Sequence, residues 1–387
     1  MNLLWIGLAA ALAAPLTADL AVEEALERSV DVAAASAMVE TAKGDVRATT
    51  LFRGDPVVQG RWAAVGDMHG VSVVQPVSVT GAGLAAHRGA VASVEQAAAS
   101  QARTRLEIAA ATRLAWVFAV EARQGMVLTD EAFALASRLR RGAEAQQASG
   151  DGSLLDARMA RLQETEARSA WMVAVADEGN RLSALAAWTG VSVEAVELPM
   201  DPLEGMPMVE LKVSTRWDLE AAHRAVEGAR ARLASERAGT LPPLRLGAFY
   251  EEEGDELRVG PSIGMEIPLW SRNSDGRARA RADLDVAEAV AAERERVADA
   301  EQDASALVVA RLEGMEHGLD PRMEARAALE SVAIGYERGE LDLLTAGLLR
   351  HQILLGQRAW LQGRRVRAEA RIAAALAHED VGLLGSK

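Results

Sequence analysis

The chain has 387 residues, with 42 Lys or Arg against 56 Asp or Glu, a net charge of −14. Cysteine is absent, aromatic residues make up 4%, and alanine occurs 79 times. Disulfides, thiolate metal sites, cysteine nucleophiles and lipid-bearing cysteines are therefore excluded, general nucleic-acid binding is disfavoured, and long, closely packed helices are favoured.

Leu3 to Ala14 form an apolar run too short to span a bilayer as a helix. Small residues follow, and Leu16-Thr17-Ala18 suits cleavage, so Met1–Ala18 is read as a secretory signal peptide. A buried N-terminal helix is the alternative. Leu20 to about Phe52 has helical spacing and stops at Asp55-Pro56. Residues 56–65 and 70–79 then read as strands joined by Gly66-Asp67-Met68-His69-Gly70. In the second strand Val71, Val73, Gln75, Val77 and Val79 fall on one face.

From Leu84 to about Ala148 a helical pattern runs without proline, and Leu128, Leu135 and Leu139 have coiled-coil spacing. At 1.5 Å per residue it extends about 97 Å. Ser149-Gly150-Asp151-Gly152 turns the chain. Two returning helices, Ser153 to about Trp188 and about Thr215 to Ala238, flank an irregular section with prolines at 199, 202 and 207. The plan then repeats. Leu241-Pro242-Pro243 stops the helix, residues 244–250 and 257–269 read as strands, and Glu251 to Glu256 reads as a polar loop. A helix from Asp275 to about Leu312 is interrupted by Gly314, Gly318 and Pro321, resumes to Arg338, turns at Gly339-Glu340 and returns from about Asp342 to His378.

The two halves match at three junctions in the same order, at offsets that agree within a few residues: 189 at the tips, 192 where Gln75-Pro76-Val77 matches Ile267-Pro268-Leu269, and 186 where Asp55-Pro56 matches Leu241-Pro242. Ser149-Gly150-Asp151-Gly152-Ser153-Leu154-Leu155 matches Arg338-Gly339-Glu340-Leu341-Asp342-Leu343-Leu344, and Arg161 matches Arg350. The expectation is one repeat over 19–210 and a second over 211–387. The fold class is mainly α with a small β part, two tandem repeats of a long helical hairpin plus a β-hairpin. Four strands cannot close a barrel, but three chains supply twelve, and strands of about ten residues cross a bilayer when tilted. The charged helices would stand outside the bilayer as a tube.

This layout resembles the TolC-type outer-membrane efflux factors, trimeric channel-tunnels, and most the CzcC-like branch serving pumps of the resistance-nodulation-division type. The carrying residues are Gly260-Pro261-Ser262-Ile263 with Ile267-Pro268-Leu269-Trp270, Gln75-Pro76, Tyr336 to Leu344, and Gly150 to Arg161. The chain departs from the family at Asp55-Pro56, where relatives show Asn-Pro, and at Leu341, where some carry a gate arginine. The resemblance implies a homotrimer with a 12-stranded barrel among outer-membrane lipids and an α-helical tunnel in the periplasm. It implies a passive conduit for metal cations or small toxic compounds, with a periplasmic membrane-fusion adaptor and an inner-membrane resistance-nodulation-division pump as partners.

The tips are then the functional site. Gly150, Leu154, Leu155, Gly339, Leu343 and Leu344 are candidates for adaptor docking, unless the glycines only permit turns and the leucines only pack. Asp156 aligns with an acid that rings the periplasmic aperture in relatives, and Asp342 is a second gate candidate. Either acid equally suits a helix start. Arg161 and Arg350 brace neighbouring helices or lie free on the surface. Glu251 to Glu256 is a cation site or a solvated loop, and Arg277, Arg279 and Arg281 anchor at the membrane interface or form a basic helix face.

No enzyme, cofactor or metal site is expected. Histidines 69, 87, 223, 317, 351 and 378 have no ligand spacing, and no nucleophile elbow or phosphate loop occurs. The rival readings are the outer-membrane component of a type I protein secretion system, a periplasmic adaptor, and a coiled-coil scaffold.

Overall fold

The structure is a computed structural model that describes residues 16–49, 56–63, 68–77, 80–191, 198–199, 201, 216–239, 244–253, 256–265, 273–315 and 321–385. Its elements are α1 (Ala18–Arg28), α2 (Val30–Ala48), β1 (Val57–Ala63), β2 (Met68–Val77), α3 (Ala82–Ser149) and α4 (Leu154–Thr189). There follow α5 (Trp217–Ala238), β3 (Leu244–Glu253), β4 (Glu256–Met265), α6 (Ser274–Glu313), α7 (Pro321–Glu337), α8 (Leu343–Ala377) and a short 3₁₀ turn, Val381–Leu384. The chain divides into two compact units, one of residues 1–29, 105–214 and 301–387, the other of residues 30–104 and 215–300.

The expected signal peptide lies outside the described residues up to position 15. Leu16 to Ala18 belong to the folded part. Leu16 and Ala18 are buried, and the Thr17 hydroxyl caps α1 by accepting from the Leu20 amide. The single helix expected over Leu20–Phe52 is instead two. Ser29 adopts extended backbone, and serine offers the chain local hydrogen bonds that compete with a helix.

The first unit has two cores. In one, Leu106, Trp116, Val117 and Val120 of α3 meet Val22, Leu185 and Ile372. Beside them Arg113 is 1% exposed. Its Nη2 donates to Asp19 at 2.5 Å and its Nε to the Leu383 carbonyl at 3.0 Å, so the buried charge is paired and joins α1 to the 3₁₀ turn. The other core unites Leu135 and Leu139 of α3, Ala160 of α4, Leu329, Val332 and Tyr336 of α7, and Leu343 and Ala346 of α8. Both cores include alanines buried to within a few per cent. Small side chains let helices approach closely, which accounts for the composition.

In the second unit, α3 meets α2 through a hydrogen bond from Gln101 to Ser36 (2.7 Å). It meets α5 through Arg224–Glu95 (3.0 Å) and through Gly89, where an added Cβ would press on Ala231 at 3.3 Å. Among described residues α6 buries little beyond Ala280, Ala291, Ala298 and Val309. The four strands form one antiparallel sheet in the order β1-β2-β3-β4.

Two strand readings are corrected. The expected loop Glu251–Glu256 is mostly strand, since Glu251 to Glu253 continue β3 and Glu256 opens β4. The expected turn Gly66–Gly70 is likewise strand from Met68. Cross-strand pairing, Met68 with Glu253 and Gly70 with Glu251, carries the ladder past the point where composition turns polar. The family-like residues Ile267 to Trp270 and the stop at Leu241 to Pro243 lie outside the described residues.

Candidate functional site

Two regions carry the candidate chemistry, the sheet and the helical turns. Because strand residues alternate faces, the register sorts the sheet side chains into two sets. One face holds Val58, Gly60 and Trp62 of β1, then His69, Val71, Val73 and Gln75 of β2. It continues with Leu244, Leu246, Ala248, Tyr250 and Glu252 of β3, then Leu257, Val259, Pro261, Ile263 and Met265 of β4. Apart from His69, Gln75 and Glu252 this face is apolar, and it is bare, with Trp62 85%, Ile263 78% and Val259 69% exposed. The opposite face carries Gln59, Arg61, Ser72, Arg245, Glu251, Arg258 and Ser262. It forms a trough of about 450 Å³ in which Gln59, Arg61 and Arg245 stand among Val57, Val74 and Phe249. In this chain β1 and β4 each pair on one side only, leaving two sheet edges. An open edge of this kind is a template for another strand.

The turns between α3 and α4 and between α7 and α8 are the expected tips, and their backbones match bond for bond. Gly150 N–H donates to the Gln147 carbonyl as Gly339 does to Tyr336 (3.2 and 3.0 Å). Asp151 donates to Gln146 as Glu340 does to Gly335 (3.0 and 2.8 Å), and Gly152 donates to Gln146 as Leu341 does to Gly335 (2.9 and 3.1 Å). Gly150 and Gly339 have φ +86° and +74°, the left-handed region where glycine has no Cβ penalty. The next helix is capped in both, by Ser153 accepting from Leu155 N–H (3.0 Å) and by Asp342 accepting from Thr345 N–H (2.8 Å).

Side chains at the two tips differ. Leu154, Leu155 and Leu344 are 53%, 66% and 71% exposed, whereas Leu343 is 6% exposed within the tip-side core. Leu343 therefore packs the hairpins together and is withdrawn from the tip surface. Gly152 leaves room for Gln146, whose Cβ a side chain there would meet at 2.8 Å. In the second tip the bulk is exchanged: Leu341 leans on Gly335, where an added Cβ would meet it at 3.0 Å.

Asp156 is exposed in the first turn of α4. The Tyr336 hydroxyl titrates above its usual range, chiefly through burial and secondarily through the Asp156 charge. Asp342 is exposed, and the hydrogen bonds from Thr345 hold its carboxyl below the ordinary value, so its charge serves the α8 cap. Arg161 is exposed and donates to Glu144 at 2.7 Å. Arg350, its repeat mate, is buried at 4%, and the acid nearest it among the described residues is Glu166 at 3.9 Å. Burial pulls its guanidinium below its ordinary value. The sequence held the signal for this contrast, since the position matching Glu144 is Ala333.

Among the described residues no group of three metal-ligating side chains occurs, and no helix is long and apolar enough to cross a membrane.

No family model and no curated protein matches the sequence. Solved structures do. CusC, whose conformational changes on folding and transmembrane channel formation have been described, aligns with TM-score 0.74 and 15% identity over 94% of this chain and 92% of its own. The outer membrane protein VceC of Vibrio cholerae aligns at 0.72 and 19%, over 92% of this chain and 95% of its own. The open state of the Neisseria gonorrhoeae MtrE outer membrane channel aligns at 0.68 and 18%, over 94% and 88%. The chain thus has the fold of these outer-membrane channels.

Proposed function

We propose that the chain is the outer-membrane channel of a tripartite efflux system, a passive homotrimeric conduit and not an enzyme. The observation that carries this reading is the sheet, bare and mainly apolar on one face, troughed on the other where the charged and polar side chains Gln59, Arg61, Arg245 and Arg258 gather, and open at both edges. Hydrocarbon suits the first face and a water-filled lumen the second. Three copies pairing β1 against β4 close twelve antiparallel strands without an edge, as a heterologous ring allows. The fold shared with CusC, VceC and MtrE supports the same reading.

On this reading the helical tips face a periplasmic adaptor, which links the channel to an inner-membrane pump of the resistance-nodulation-division type. Gly150, Leu154, Leu155, Gly339 and Leu344 form the docking surface, and Asp156, repeated threefold, rings the aperture. The cargo is proposed as metal cations or small toxic compounds, in line with the CzcC-like resemblance.

Neighbouring strand positions provide the test. Val73→Lys puts a charge on the bare face, where a lipid-facing Lys costs about 2–4 kcal/mol at the bilayer midplane. Val74→Lys puts the same charge on the polar face. The expected result is loss of the detergent-resistant trimer from the outer-membrane fraction with Val73→Lys and its retention with Val74→Lys. A soluble wild-type monomer, or equal behaviour of the two variants, would overturn the proposal.

A further inference from the structure

We infer that Arg350 holds one small monovalent anion, of the size and charge of chloride, in a pocket between α3, α4 and α8 whose inner end is buried. The inference does not rest on the channel reading. The Arg350 side chain is 5% exposed, and its Nε and Nη1 atoms are buried with no hydrogen-bond partner. Among the described residues the carboxylate near it is Glu166, which stands at 3.9 Å and is itself 67% exposed, so it offers a distant, solvent-screened charge. Arginine does not escape burial by losing its proton, so an uncompensated guanidinium here demands a counter-charge.

The repeat explains why, among the described residues, only this distant acid stands near Arg350. At the matching place in the first hairpin, Arg161 bonds Glu144 at 2.7 Å. In the second hairpin the acid's place is taken by Ala333, which is buried at 1%. What stands beside Arg350 is a cavity of about 80 Å³, lined by Thr129, Glu166, Ala167, His351 and Arg358 among others. That is room for a small ion or a water, and the exposed Glu166, His351, Leu355 and Arg358 leave its outer side open to solvent. Its lining has two arginines and a histidine against one acid. The Thr129 hydroxyl already donates to the Gly125 and Met126 carbonyls (3.0 and 2.9 Å), so Arg350 supplies the donors.

The test uses the purified full-length protein in detergent, with chloride replaced by gluconate at constant ionic strength. Wild type should show a saturable rise in Tm with chloride, of about 1–3 °C. Arg350→Met should abolish the rise, and Arg350→Lys covers the case in which the Met variant does not fold. Glu166→Gln, which removes the opposing charge, should shift the half-saturating chloride concentration several-fold lower. A bromide-soaked crystal should show an anomalous peak within hydrogen-bond distance of Nε or Nη1. The inference is overturned by an anion-independent Tm with no bromide peak, as water alone would give. Persistence of the chloride effect in Arg350→Met, or a second copy's carboxylate at Arg350 in the crystal, overturns it equally.

Discussion

The first and second tips have one backbone and two sets of side chains. Their turns repeat hydrogen bond for hydrogen bond, with glycine at φ +86° and +74°. Yet Leu154 lies 53% exposed where its mate Leu343 lies 6% exposed, and Arg161 meets an acid where Arg350 meets a cavity. The difference teaches that duplication preserves what the turn needs and releases what the surroundings decide. Positive φ, a helix cap and the carbonyl partners are local requirements. Burial at 343 is set by neighbours from other helices, Leu139, Val332 and Tyr336.

The matched leucines give the largest expected contrast. Leu343→Ala should cost about 2–4 kcal/mol, as for large-to-small changes in a packed core. Leu154→Ala, at an exposed position, should cost less than about 1 kcal/mol. Urea unfolding of the two variants side by side measures this, and equal losses would remove the distinction between a packing tip and a presenting tip. The exchanged bulk gives the next contrast. Gly152→Leu should cost about 1–3 kcal/mol by pressing on Gln146. Adding Gln146→Gly recreates the Gly335–Leu341 arrangement and should recover part of that loss, despite the helix penalty of glycine. A double-mutant cycle with no coupling would show that the two tips do not share this packing rule.

How far the sequence disclosed these features follows the same division. Gly150 and Gly339, Ser153 and Asp342 were legible because left-handed turns and helix caps are written in single residues. The alternation of Val71 and Val73 with Ser72 and Val74 was legible because strand faces have period two. Glu251 to Glu253 read locally as loop, since their place in β3 comes from pairing with residues 68–70, far away in sequence. Ser29 was missed as a break because a serine inside an apolar helical pattern is a weak local signal. The burial of Leu343 is not legible, because nothing within its own turn distinguishes it from Leu154. The isolation of Arg350 was readable in principle, since aligning Glu144 with Ala333 removes the acid its mate depends on.

The two caps sharpen the comparison by the smallest expected effect. Ser153 caps α4 with a hydroxyl, which does not titrate, whereas Asp342 caps α8 with a carboxylate. The Asp342 carboxyl is held below its ordinary value, first by the Thr345 amide and then by the Thr345 hydroxyl. A carboxylate whose folded value is depressed adds stability above its unfolded value, near pH 4, and that contribution is lost as pH falls through the folded value. The second tip should therefore loosen below about pH 4 while the first does not. Amide hydrogen exchange should show Leu344 to Ala346 losing protection between pH 5 and pH 3, with Leu155 to Ala157 unchanged once intrinsic exchange rates are divided out. Asp342→Asn keeps an oxygen that can cap the helix but cannot ionise. That variant should make the two tips respond alike, and a pH response that survives it would assign the loosening to another acid.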